Sequence, residues 1–170
     1  MMTYKFVWIG LLFAAVSLTG CQHEGLNTSA NTSQENQDQD EEPAIAANIT
    51  EVTVRGEPQA YTFSITIESP DTGCDQYADW WEVLSEAGEL LYRRVLLHSH
   101  VNEQPFTRSG GPVAIDADQT VIVRAHMNNT GYIGNLLKGS VYTEFVEYKP
   151  EEPFAPDVET QDPLPENCAF

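Results

Sequence analysis

The sequence predicts an all-β domain: a two-sheet antiparallel β-sandwich, broadly immunoglobulin-like or fibronectin-like, with about seven strands. Three observations predict it. Apolar residues recur with period two, most cleanly at Tyr61, Phe63, Ile65 and Ile67, which alternate with Thr62, Ser64, Thr66 and Glu68. Turn-forming clusters such as Pro70-Asp71-Thr72-Gly73 and Asn128-Asn129-Thr130-Gly131 separate the apolar runs. Helical periodicity is weak throughout. Its closest approach, residues 75–84, contains adjacent tryptophans that suit a strand better.

Taken in order, residues 50–55 form a short strand with Val52 and Val54 in phase, and residues 61–68 form a half-buried strand. Residues 80–85 and 90–99 are two runs joined by Glu86-Ala87-Gly88-Glu89, which reads as a hairpin. That pairing sets Glu82 opposite Arg93 or Arg94, a cross-strand contact worth roughly 0.2–1 kcal/mol. Trp80 and Trp81 must then point to opposite faces. One fills the core, and the other lies beside Tyr92 or Arg94 or beneath the C-terminal segment. Residues 104–112 read as a long loop ending in Ser109-Gly110-Gly111-Pro112. A short strand follows at 113–115. Residues 119–127 form a strand that sets Val121, Val123, Ala125 and Met127 on one face, with Arg124 and His126 on the other. Residues 139–148 form the last strand.

The chain has 170 residues, with 8 Lys and Arg against 26 Asp and Glu, for a net charge of −18. Such a surface repels a phosphate backbone, which excludes nucleic acid as a partner, and it disfavours simple adhesion to an anionic membrane. The N-terminus carries its own signal. Lys5 precedes an apolar run over 6–18 that is short for a membrane span, and the run meets Leu18-Thr19-Gly20-Cys21.

That tetrapeptide resembles the lipobox of bacterial lipoproteins: an apolar residue, two small residues, then cysteine. The resemblance covers residues 1–21. It implies that residues 1–20 are a signal peptide and that the Cys21 thiol receives a diacylglycerol before cleavage after Gly20. Several acyl chains then make detachment from the membrane very slow. The implied location is the bacterial cell envelope. Gln22 stands where an aspartate would retain an enteric-type lipoprotein at the inner membrane, which favours the outer membrane in a Gram-negative cell. Residues 21–46 read as the lipidated cysteine and a disordered acidic tether, with Glu24, Glu35, Asp38, Asp40, Glu41 and Glu42 and no Lys or Arg. Residues 47–148 are the sandwich. Residues 149–170 form a Pro-rich acidic tail, with Pro150, Pro153, Pro156, Pro163 and Pro165, unable to form a helix or a central strand. With Cys21 lipidated, Cys74 and Cys168 remain for a disulfide that pins the tail, the alternative being two free thiols.

Several side chains could carry chemistry. His98 and His100 are two apart, so on a strand their imidazoles face the same way, and His126 supplies a third. A zinc or copper site from these three is one reading, opposed by the positive charge of Arg94 and Arg124. The other is half-exposed histidines bonded to a loop. Asp71, Asp75 and Asp79 crowd the loop around Cys74, as in an oxygen-rich calcium site or as turn-forming carboxylates that accept from backbone amides. Trp80, Phe106 and Arg108 are candidates for a surface that binds a sugar ring or a peptide. Arg108 can equally pair with an acid. Neither Gly-x-Ser-x-Gly, nor a phosphate-binding glycine loop, nor HExxH, nor CxxC occurs. No catalytic set is assigned and no cofactor is required. The reading that follows is a non-catalytic binding or accessory module at the envelope, held to the membrane by the lipid, for a protein or glycan partner. A metal-binding protein or metal-dependent enzyme, and a purely structural envelope protein, are the alternatives.

Overall fold

A computed structural model describes residues 45–169. Eight strands form two antiparallel sheets that pack face to face. The smaller sheet has the order β1-β2-β5, with β1 at Asn48–Arg55, β2 at Tyr61–Glu68 and β5 at Phe106–Val113. The larger has the order β4-β3-β6-β7-β8: β3 is Ala78–Ser85, β4 Leu90–Val95, β6 Val121–Met127, β7 Leu136–Gly139 and β8 Val146–Tyr148. The all-β sandwich expected from the sequence is therefore present. Period-two patterning fixes which side chains meet between the sheets. Phe63, Ile65 and Ile67 of β2 face Trp81 and Val83 of β3, together with Val121, Val123, Ala125 and Met127 of β6, all essentially excluded from water.

Three elements differ most from the sequence reading. The stretch read as a loop over 104–112 holds most of β5, and no separate strand occupies 113–115. The glycines and Pro112 disguised it. β5 is an edge strand, so a missing N–H is tolerated there. A register shift opposite Tyr61 and Phe63 absorbs Gly111 and Pro112. Gly110 is required by close packing: a Cβ there would lie 2.6 Å from the Tyr92 hydroxyl and 3.0 Å from the Trp81 ring. The second difference is the last strand. Residues 139–148 are not continuous, because the chain reverses between β7 and β8, which pair antiparallel. Thr143 sets this turn: its hydroxyl accepts from the Ser140 N–H at 2.9 Å, and its own N–H donates to the Ser140 carbonyl at 3.3 Å. Likewise β4 ends at Val95, short of residue 99.

Antiparallel sheets commonly leave one face to water. Here every residue of β6, and all of β3 except Ser85, is buried. The C-terminal segment is the reason. It crosses the outer face of the larger sheet, with a short 3-10 turn at Pro156–Thr160 that buries Val158. A disulfide between Cys74 and Cys168, 94 positions apart, pins its end beside the loop that precedes β3. The Ala169 N–H then donates to the Leu97 carbonyl.

Candidate functional site

Two clusters of polar and aromatic side chains stand out. The first lies on the outer face of the larger sheet, under the tail. Glu82 of β3 is fully buried between Arg93 of β4 and Arg124 of β6, its cross-strand neighbours in the ladder. Arg93 Nε donates to Glu82 Oε2 at 2.8 Å, and Arg124 Nε donates to Oε1 at 2.8 Å. A buried charge is tolerable only when paired and fully hydrogen-bonded. The tail completes the set. Arg93 donates to the carbonyls of Val158, Gln161 and Pro163, and Arg124 donates to those of Phe154 and Ala155. The match is chemical: proline lacks an N–H, so a Pro-rich segment offers carbonyls in excess, and a guanidinium is donor-only.

Trp80 and His126 extend the same face. Their rings stack at 3.6 Å between centroids, and the Arg93 guanidinium lies 4.4 Å from the Trp80 centroid. His126 Nδ1 is 2.6 Å from Asp79 Oδ1, and Nε2 is 3.4 Å from Glu159 of the tail. Burial raises the Asp79 carboxyl above the ordinary range, and the hydrogen bond and charge of His126 oppose that rise. Tyr132 closes the cluster by accepting from Trp80 Nε1 at 3.3 Å. Burial first, then the Glu82 charge, push its phenol up to about 12, so it stays neutral.

The second cluster lies where the chain leaves β4 and returns into β5. Arg94, Leu97, His98, His100 and Arg108 line an open cleft of about 350 Å³, whose apolar wall continues through Val95 and Leu96. His100 stacks on Phe106 at 3.7 Å between centroids, and His98 lies 4.6 Å from it. The His100 side chain is 1% exposed, yet neither ring nitrogen has a hydrogen-bond partner. Asp71 Oδ2 stands 3.8 Å from Nδ1, too far to bond. Burial first, then the charges of Arg108 and His98, lower the imidazole to about 4.

The residues singled out in the sequence are divided between these clusters. His98 and His100 meet in the cleft, whereas His126 is committed to Trp80 and Asp79 beneath the tail. Among the described residues, no group of three or more His, Cys, Asp and Glu is arranged to hold a metal ion. Asp71 acts as the backbone acceptor that was the alternative to a calcium ligand. Its carboxylate takes the N–H groups of Ala78 and His100 at 3.0 and 2.8 Å and the Ser69 hydroxyl at 2.7 Å. Phe106 does not belong to an open surface. It occupies an inward position of β5 and is 1% exposed. Trp80 is also covered, at 3% exposed, by the His126 ring, the Arg93 guanidinium and Tyr132. Arg108 remains half-exposed and grips Glu103 with both terminal nitrogens, at 3.3 and 2.8 Å. Cys21 and the acidic segment behind it lie outside the described residues. Sequence reasoning set Glu82 opposite Arg93 or Arg94 without separating the two, and it missed the burial and the third member; the ladder selects Arg93. The available signal was Arg124, on the outer face of a strand followed by a Pro-rich tail that needed donors.

Fold and clefts define the class: an acidic β-sandwich with a disulfide-pinned C-terminal strap. Comparison with known proteins adds one relative. The chain is 41% identical over 92 residues to a protein of Halomicrobium mukohataei named "Putative lipoprotein", a stretch that is 54% of this chain and 45% of that one. The match thus spans less than half the relative's length. It supports lipoprotein status for this chain. No family model matches the chain, and no solved structure does.

Proposed function

We propose that this protein is a lipid-anchored envelope lipoprotein whose sandwich serves as a non-catalytic binding or accessory module. The partition of the three cysteines carries the reading. Cys74 and Cys168 are joined, which suits an oxidising compartment, and Cys21 sits in a lipobox. Likeness to a named lipoprotein points the same way. Mass spectrometry of the membrane fraction tests the reading. A thioether-linked diacylglycerol on Cys21, and release of Cys21→Ser into the soluble fraction, are the expected results. An unmodified N-terminus beginning at Met1 would refute it.

A further inference from the structure

We propose that the cleft between the end of β4 and the edge of β5 binds a small organic oxyanion, an acidic group carried on an apolar body. This rests on the reading of the domain as a binding module and gives that module a site and a ligand class.

Charge is the first observation. In a chain of net charge −18, two of the few cations converge on this cleft with His98. Arg94 is exposed and makes no ion pair among the described residues. Arg108 is held by Glu103, whose own side chain is 58% exposed. That carboxylate shows what the guanidinium selects, and an incoming anion would compete with it or share it. Asp71, the other acid nearby, sits behind His100 with its oxygens already occupied. Two guanidinium groups repel a divalent cation and favour an anion.

The second observation is His100. A buried imidazole with both nitrogens unpartnered is costly, and buried polar groups are nearly always satisfied. Its ring lines the cleft, and its two nitrogens, both shut off from water, are left for a polar atom of a ligand to satisfy once the ring turns toward it. The third observation is the wall. Val95, Leu96 and Leu97 give the cleft an apolar side, and Leu97 is 58% exposed. Volume places the cleft at the lower end of small-molecule sites. An inorganic anion would leave that wall wet.

Titration of the full lipidated chain in detergent tests this, with benzoate, inorganic phosphate, benzamide and zinc as probes and 15N-labelled histidine side chains as reporters. Benzoate is expected to shift the His98 and His100 resonances but not His126, and to bind at least about tenfold tighter than phosphate or the neutral benzamide. Arg94→Gln should weaken benzoate about tenfold, whereas Glu103→Gln, which frees Arg108, should tighten it. Arg55→Gln removes the same charge elsewhere and should change nothing. No response of His98 and His100 at about 20 mM benzoate overturns the proposal, because a millimolar site would be nearly saturated there. So does equal binding of benzamide, equal or tighter binding of phosphate, or tight zinc uptake by His98 and His100. Lipid on Cys21 together with such a result would leave the anchored module standing and remove only this site.

Discussion

The tail-covered face and the cleft are made from the same kinds of residue: arginine, histidine, an aromatic ring and an acid. They differ in completion. Beneath the tail, both oxygens of Glu82 are bonded, and Arg93 and Arg124 reach five tail carbonyls between them. In the cleft, Arg94 pairs with no acid among the described residues, and neither ring nitrogen of His100 has a hydrogen-bond partner. A polar cluster whose every member is satisfied by its own chain holds structure together. One left with unmet donors and acceptors retains the capacity to bind. Identical chemistry in the sequence thus supports two different roles, and burial with partners separates them.

Detaching the strap tests the tail-covered face most directly. The chain-entropy model gives a loop of this length about 4–5 kcal/mol of stabilisation, so Cys74→Ala with Cys168→Ala should lower unfolding stability by roughly that amount. Denaturant melts of the oxidised protein and the double variant measure it. A loss below about 1 kcal/mol would mean that Arg93 and Arg124 hold the tail unaided. The next effect is internal. Glu82→Gln leaves two guanidinium groups buried with uncharged partners only, and removing one member of a buried ion set costs about 3–5 kcal/mol. The tail should also become protease-sensitive, since its carbonyls are held by the same two arginines. An equivalent change in the cleft, Glu103→Gln, removes only an exposed pair and should leave stability nearly unchanged.

How much of this was legible in the sequence follows from periodicity. β2 and β6 could be read residue by residue, because alternation is the direct imprint of a sheet with one face in a core. β5 could not. Its Gly-Gly-Pro sequence is a turn signal, and only the nearness of Tyr92 and Trp81 shows why a side chain is excluded at Gly110. The reversal after β7 hid for a related reason: Val141, Thr143 and Phe145 continue the alternation, while the Ser140–Thr143 hydrogen bonds that break the strand leave no periodic trace. In the cleft, His98 and His100 were legible as a pair. The missing partners of His100 were not, since an absent hydrogen bond has no sequence signature.

The cleft histidine also makes stability depend on pH. His100 titrates at about 4 in the folded protein and near 6.5 when unfolded, lowered chiefly by burial. Between those values the unfolded chain binds a proton that the folded chain refuses. Stability therefore falls as pH drops from about 7 toward 4, by on the order of 2 kcal/mol. His100→Phe should erase that component of the slope, which urea melts across the range would show. A slope unchanged by the substitution would assign it to other groups.

The paired histidine substitutions discriminate best between the two clusters. His100 already stacks on Phe106 like an aromatic ring, so His100→Phe keeps the shape and removes two unpartnered polar atoms. At neutral pH it should gain about 1 kcal/mol of stability, because a buried group without a hydrogen bond costs that much or more. The same change at His126 has the opposite sign: it strips Asp79 of its 2.6 Å partner and leaves a buried carboxyl unpaired, a loss of about 1–3 kcal/mol. Stabilisation at one histidine and destabilisation at the other is what an open site and a closed structural cluster require. If His100→Phe destabilised the protein as much as His126→Phe, the cleft histidine would be one more structural polar group, and the distinction between the two regions would fail.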